Sequence, residues 1–142
     1  MGYDIEIRRL NSKDQDLTVK QIAEKNDEYE LDDISEKIKH LYMSYNHHNM
    51  FKEFEIYPRY FNYDRVKDIL PKYKAALEKL KADECVDKGI VKIYEESEDY
   101  YEFQEKCRMN FFEKSKTVIF IIVSEVIETL KKCDENDFWI SD

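Results

Sequence analysis

The sequence predicts an α+β fold in which a small antiparallel sheet of two or three strands packs against a dominant layer of helices, as a single domain over residues 1–142. Two short segments, 3–7 and 39–45, alternate between apolar and polar residues, as half-buried strands do. A long segment, 113–133, has the apolar content of a central helix. The order of strand, short helix, strand and several helices favours the α+β class.

The N-terminal part contains the first predicted strand and a short helix. The YDIEIRR segment places its three apolar side chains on one face and its charged side chains on the other. A turn follows at 11–16, and Thr18 is the expected N-cap of the helix in LTVKQIAEKN. Residues 27–36 carry six acidic groups and no basic group, which predicts a solvated loop or the rim of a short helix.

A junction between a strand and a helix is predicted next. Segment 39–45 is interpreted as the second strand, and a helix continuing from Ile34 is the competing interpretation. Asn46 is expected to cap a helix over about 47–54, because its side chain can accept from a backbone N–H in the first turn. The apolar stripe of that helix is expected to consist of Met50, Phe51 and Phe54.

The second half is predicted to be helical. Asn62 or Asp64 is expected to cap a helix, and Pro71 is expected in the first turn of a fresh helix or at a kink. Residues 90–94 fit a strand or a helix, and we favour the helix. Tyr100, Phe103 and Cys107 follow helical spacing.

The helix over 113–133 is the strongest in the sequence. Residues 118–123 are apolar on every side, which predicts a buried central position. The β-branched run also fits a strand, but the length of the segment favours a helix. Trp139 is expected to fold back onto the core, because a tryptophan buries a large area.

Composition narrows the classes of function. The formal net charge of −9 disfavours nucleic-acid binding, which needs clustered lysine and arginine, and suits a basic protein partner. Only two glycines are present, so no glycine-rich phosphate loop can form. The three cysteines form no CxxC pair, and we interpret them as reduced thiols of a cytoplasmic protein. We expect no membrane span and no cofactor.

Three segments, MGYDIEI, SYNHHNMFKEF and DILPKYKAALEKL, resemble a family of small proteins from bacteria, phages and mobile elements. Members open with an M-[GS]-Y-D-I strand, carry a TYN…MF element and continue into a helix with a proline ahead of its apolar residues. Many end near a tryptophan and an aspartate. The matching positions in this chain are Tyr45, Asn46, Met50, Phe51, Pro71, Ala76, Leu77, Leu80, Trp139 and Asp142.

The resemblance covers about half of the chain, in patches. The chain departs from the family pattern in its acidic inserts before His40 and after Lys81, and in lacking the glycine-containing segment that usually opens the last helix. The family has no established activity, so the resemblance implies a compact domain of phage or mobile-element type and assigns no catalytic residue. Small acidic proteins of such origin are often inhibitors or immunity proteins.

The three histidines, His40, His47 and His48, are the alternative candidates for a metal or catalytic site. Neighbouring helical residues point in different directions, so His47 and His48 do not easily share one ion. The i, i+4 spacing of a two-histidine helical site is absent. We therefore expect no metal site and interpret the doublet as exposed surface in the first turn of a helix. It is expected to be neutral at pH 7, because the helix dipole disfavours imidazolium there.

Two acidic tracts, 27–36 and 95–105, form the candidate interface. Tyrosines are interleaved with their carboxylates, and aromatic anchors beside charged groups are typical of protein interfaces. A merely solvated surface is the alternative interpretation. The candidate interface residues are Tyr29, Asp32, Asp33, Glu95, Glu96, Glu98, Asp99, Tyr100, Tyr101 and Glu102.

No serine or cysteine has the sequence context of a catalytic nucleophile. We therefore expect a non-enzymatic protein-binding domain, an inhibitor or immunity-type protein that engages a basic partner. One alternative is a small metal-dependent enzyme or metal-binding protein that uses the three histidines. The other is a small-molecule binder with an aromatic pocket from Tyr57, Tyr60, Phe61 and Tyr63. The basic stretch 59–81 is either a solvated face or a docking surface for an anionic partner.

Overall fold

A three-stranded antiparallel sheet forms the centre of the fold. The computed structural model describes residues 1–25, 27–107 and 115–142. Strand β1 (Gly2–Leu10) lies in the middle, between β2 (Ser35–Ser44) and β3 (Phe138–Ser141). Both pairings are antiparallel. With the helices that surround this sheet, the predicted α+β class is confirmed.

Seven α-helices are present in the described ranges. They are α1 (Val19–Ala23), α2 (Glu28–Ile34), α3 (His48–Glu53), α4 (Val66–Ala82), α5 (Lys88–Glu96), α6 (Tyr100–Cys107) and α7 (Ser115–Lys131). Residues 113 and 114, where the last helix is predicted to begin, lie outside the described residues. Across the described helices, none has the length and apolar content that crossing a membrane requires.

Both faces of the sheet carry apolar side chains. Alternation along β1 directs Tyr3, Ile5 and Ile7 into a large cluster to which α4 and α7 contribute. Leu10 belongs to a smaller cluster on the other face. The side chains of β3 are divided between the same two clusters, with Trp139 in the large cluster and Phe138 in the smaller one. The partners of Leu10 in the smaller cluster are Ile22, Leu31, Ile34 and Phe138. The helices α1 and α2 therefore cover the face opposite to α4 and α7.

Helix α7 is the buried helix that the sequence predicts. Its residues Ile119, Phe120 and Val123 are fully buried, and the helix packs along α4. Trp139 is also fully buried, as expected, and its ring lies 5.9 Å from that of Phe61. The main core thus contains residues of β1, of β3 and of the helices between them. The assignment of a single domain stays a prediction.

The first acidic tract is a helix rather than a loop. Asp27 caps α2 by accepting from the N–H of Glu30, at 2.8 Å. Leu31 and Ile34 are buried, so the helix covers the sheet despite its acidic composition. The helix ends at Ile34 and the chain continues directly as β2, so the competing interpretation of a helix running past Ile34 is wrong. The favoured helix at 90–94 is confirmed as part of α5.

The predicted cap at Asn46 is wrong. Ser44 accepts from the backbone N–H of Asn46, at 3.2 Å, and starts a short 3-10 turn over Tyr45–His47. Because Asn46 lies inside that turn, its own side chain is not placed to cap α3. His47 is the N-cap residue of α3 and makes no side-chain capping bond.

The caps predicted at Asn62 or Asp64 are also wrong. Arg65 is the N-cap residue of α4 and makes no side-chain capping bond. The first two helical N–H groups, of Val66 and Lys67, donate instead to backbone carbonyls of the segment leading into β3, at 2.8 and 3.0 Å. A contact between distant parts of the chain therefore replaces the local cap.

Pro71 lies inside α4, which is one continuous helix from Val66 to Ala82. The expectation of a fresh helix beginning at Pro71 is therefore wrong. A proline at this position removes one N–H donor from the helical hydrogen-bond pattern. The helix persists because Ile69, Tyr73 and Leu77 remain buried on its apolar face.

Candidate functional site

Two of the segments that carry the family resemblance meet in space. Tyr3 of β1 contacts Tyr45 of the strand-to-helix turn, with their ring centroids 4.6 Å apart. The Tyr3 hydroxyl and Nδ1 of His48 lie 2.7 Å apart and form a hydrogen bond. The ring of Tyr57 adds edge contacts to Tyr3, at 5.4 Å, and to His48, at 5.1 Å. We call these four residues the aromatic junction.

Tyr3 is the buried centre of the aromatic junction, and two cationic side chains lie against the rings of the junction. Only 2% of Tyr3 is exposed, and burial together with the Tyr57 hydroxyl raises the pKa of Tyr3 to about 12. Tyr3 is therefore protonated at neutral pH. The Arg59 guanidinium lies 5.5 Å from the Tyr3 ring centroid, and Nζ of Lys52 lies 4.9 Å from that of Tyr57. The geometry of the junction is that of a packed structural cluster.

The histidine doublet is not the exposed surface that the sequence predicts, since His47 and His48 are both partly buried. The ring of His47 packs 6.0 Å from that of Phe51, and burial lowers the pKa of His47. His40 lies elsewhere, on β2, where its Nε2 is 3.2 Å from a carboxylate oxygen of Asp4. Within the described residues, no three or more His, Cys, Asp and Glu side chains are grouped to hold a metal ion.

The four residues of the predicted aromatic pocket are divided by the structure. Tyr57 belongs to the aromatic junction, and Tyr60 contacts it with a ring separation of 5.0 Å. Phe61 is buried in the main core against Tyr73. Tyr63 packs instead against the smaller cluster, and its backbone takes a positive φ of 71°.

The first acidic tract has a structural role at Asp32. Its carboxylate lies 2.9 Å from the guanidinium of Arg8, a side chain that is almost completely buried on β1. Arg8 also pairs with Glu6, at 2.9 Å. Asp33 and Tyr29 point outward, and 85% of Tyr29 is exposed. This tract therefore combines one internal ion pair with solvent-exposed side chains.

The second acidic tract forms the end of α5, a turn and the start of α6. Asp99 accepts from the N–H of Glu102, at 2.8 Å, and Glu102 accepts from the N–H of Glu98, also at 2.8 Å. Two carboxylates thus fix the first turn of α6. The hydrogen bond from Lys106 to Glu102, at 2.7 Å, lowers the pKa of Glu102.

The two tyrosines of α6 point in opposite directions. Tyr100 is partly buried beside Phe103, and burial together with the nearby Glu125 carboxylate raises the pKa of Tyr100. Tyr101 is 71% exposed. We define the acidic face as Tyr101 with the carboxylates that precede and follow it, namely Glu95, Glu96, Glu98, Asp99 and Glu102.

A cleft of about 360 Å³ adjoins the acidic face, where the turn between α5 and α6 meets α7. Glu95, Glu98 and Asp99 line one side, and Glu128 of α7 adds a further carboxylate. Lys81 also lines the cleft, with its Nζ 3.9 Å from Glu95 and 5.5 Å from the ring centroid of Tyr94. Lys131 is a second lysine of the lining, but it is Lys81 that lies between a carboxylate and an aromatic ring.

The two tracts lie on different parts of the molecule. Helix α2 covers the sheet face of the smaller cluster, whereas α5 and α6 pack with α7 in the larger one. The ten predicted interface residues are thus divided between two surfaces. The second surface combines a cleft, an exposed tyrosine and a dense set of carboxylates.

In comparisons with known proteins, no family model, no curated protein and no solved structure matches this chain. A functional assignment therefore rests on the geometry of the chain's own residues.

Proposed function

We propose that this protein is a non-enzymatic binding domain that engages a basic protein through the acidic face. The observation that supports this proposal is Tyr101, a large aromatic side chain that is 71% exposed among carboxylates. Tyrosine is enriched among the residues that contribute most to protein interfaces, because it combines a large apolar ring with a hydroxyl. In this interface Tyr101 is the anchor.

The charge of the acidic face supports a cationic partner. Residues 95–106 contain six carboxylates and one lysine, within a chain of net charge −9. Such a field raises the rate of encounter with a positive surface, while the aromatic anchor slows dissociation. The neighbouring cleft suits a lysine or arginine of the partner, which would be bound as Lys81 is bound by Glu95 and Tyr94.

The wider role that we propose is that of an inhibitor or immunity-type protein of phage or mobile-element character, acting in the cytoplasm. The acidic composition supports this proposal, and it requires no catalytic residue. The partner in that case is a basic protein whose own function needs the positive surface, such as one that binds nucleic acid.

The test compares matched variants of the two acidic tracts by affinity capture followed by identification of the captured protein. The first variant combines Tyr101→Ala with Glu96→Lys, positions whose side chains are outside the core. The control combines Tyr29→Ala with Asp33→Lys on α2. We expect the unchanged protein and the control to capture one basic protein in a salt-sensitive manner, and the first variant to lose it.

Equal capture by both variants, or an acidic partner, would contradict the proposal. Thermal unfolding of each variant shows whether the fold is intact. The substituted side chains are exposed, so we expect their effect on the free energy of unfolding to stay within about 0.5 kcal/mol.

A further inference from the structure

A second groove, of about 420 Å³, lies between α4 and the segment that precedes it. Its walls include Phe54, Phe61 and Ala76, which are all buried apolar side chains. Helix α4 presents four groove residues in helical spacing, Lys72, Ala75, Ala76 and Lys79. The small side chains of the two alanines create the space of the groove. Lys72 and Lys79 lie at the two ends of this row of helical residues.

The groove carries a positive charge on an otherwise negative protein. Glu55 is the carboxylate among its lining residues, against two lysines. Nζ of Lys72 lies 5.6 Å from the ring centroid of Phe61. Among the described residues, no carboxylate forms a direct ion pair with Lys72. Burial raises the pKa of Asp64 and the charge of Lys72 partly offsets this, so Asp64 is a longer-range partner of Lys72. A local positive field on a chain of net charge −9 favours a small anion over a large acidic surface, which the rest of the molecule repels.

Glu55 marks where an anion binds. Its backbone takes a left-handed φ of 60°, which is uncommon for a residue other than glycine. Its carboxylate oxygen lies 3.8 Å from Nζ of Lys79, and 82% of its side chain is exposed. Because Glu55 is held by little packing, a carboxylate from a ligand can replace it beside Lys79.

We propose that this groove binds a small organic carboxylate with an apolar body. The carboxylate replaces that of Glu55 at Lys79, and Lys72 supplies the second positive charge. The apolar body packs against Phe54, Phe61 and Ala76. The volume is within the range of small-molecule sites in proteins. This inference uses the basic stretch of α4 and is independent of the acidic face.

The test is an NMR titration of the full chain with three probes. The first is 3-phenylpropionate, which has both the charge and the apolar body. Propionate has the charge alone, and 3-phenylpropylamine has the same body with the opposite charge. We expect the amide signals of Ala75 and Ala76 to shift with 3-phenylpropionate, with a dissociation constant of about 1 mM. Propionate is expected to bind about tenfold more weakly, and the amine is expected to leave these signals unchanged.

Variants then locate the anion. Lys79→Gln is expected to weaken the binding of 3-phenylpropionate about fivefold. Lys74→Gln, an exposed lysine of the same helix that does not line the groove, is the matched control and is expected to have no effect. Ala75→Trp fills the groove and is expected to abolish binding. No signal shift at about 10 mM 3-phenylpropionate, equal shifts with the amine, or equal weakening in both lysine variants would overturn the proposal.

Discussion

The aromatic junction and the acidic face both contain tyrosine, yet they use it in opposite ways. Tyr3 is 2% exposed and contacts the rings of Tyr45 and Tyr57. Tyr101 is 71% exposed and stands among carboxylates. The same side chain therefore stabilises the fold in one region and is available to a partner in the other. The two regions differ in how far apart along the chain the residues that surround the tyrosine lie.

The junction is assembled by the sheet. Tyr3 pairs with Met43 in the β1–β2 register, which brings Tyr45 to it. The acidic face instead comes from one contiguous segment, residues 95–106. Substitutions in the junction should thus lower the free energy of unfolding. Substitution of Tyr101, or of acidic-face carboxylates other than Asp99 and Glu102, which cap α6, should change binding alone. The following predictions test this separation.

The largest effect is expected for Trp139→Ala. Trp139 is fully buried, and its indole N–H donates to the carbonyl of Pro58, at 2.9 Å. Its loss leaves a cavity and an unpaired acceptor, so we expect a decrease of about 3–5 kcal/mol in the free energy of unfolding, measured with urea. Tyr29→Ala, at an exposed position, is the control and should change it by less than about 0.5 kcal/mol. Similar values for both variants would show that burial does not separate the two classes of aromatic residue.

A smaller effect is expected for Asp32→Ala, measured against Asp33→Ala. The side chains of both residues are exposed, but Asp32 pairs with the buried Arg8. Because Arg8 keeps Glu6 as a partner, the cost at Asp32 should be about 1–2 kcal/mol rather than that of a fully unpaired buried charge. Asp33→Ala should be close to neutral. Equal unfolding midpoints for the two variants would contradict the structural role of Asp32. Asp32 would then remain only a candidate residue of the predicted interface.

The sequence accounts for elements whose signal is local. The alternation in β1, the N-cap at Thr18 and the apolar run of α7 are all predicted correctly from neighbouring residues. The caps of α3 and α4 are missed because their backbone groups are satisfied otherwise: Ser44 starts the turn before α3, and the segment before β3 supplies carbonyls to α4. For α4 the carbonyls come from residues 135 and 137, so no neighbouring residue indicates the contact.

The candidate site was only partly predictable for the same reason. The acidic residues of 95–102 are visible as a tract, but the cleft beside them is not, because Lys81 and Glu128 reach it from other helices. At α2, the sequence feature that indicates a helix packed against the core is the apolar pair Leu31 and Ile34. These residues lie three positions apart within the acidic tract. The basic stretch 59–81 contains the lysines of the groove at α4. The groove is also lined by Phe54 and Glu55, which lie outside that stretch.

A modest effect is expected for Tyr3→Phe. The substitution keeps the ring contacts and removes the hydrogen bond with His48, so the free energy of unfolding should fall by about 1 kcal/mol. Tyr42→Phe, at a position that is 55% exposed on β2, serves as the control and should be near neutral. A neutral result for Tyr3→Phe would mean that the hydroxyl contributes nothing to the stability of the junction.

The smallest effect is a pH dependence at His47. Burial lowers the pKa of His47 below its ordinary value of 6.5, so the unfolded chain takes up the proton first as the pH falls. The contribution of the neutral imidazole is fully present above pH 6.5 and is lost as the pH falls from 6.5 through the lower folded pKa. Unfolding midpoints measured across this range should show a slope that His47→Gln reduces. An unchanged slope would assign it to other groups.

The place of β3 in the sheet has a consequence for how the chain folds during synthesis. The central strand β1 is made before β2 and β3, yet its second edge is paired only when Ser141 reaches Ile5. Until then β1 exposes backbone donors and acceptors that can pair with another chain. The core likewise waits for Trp139, which arrives with the same strand. The pairing of β3 therefore completes the sheet. Slow translation of the segment before β3 should lengthen the period in which nascent chains can associate with one another.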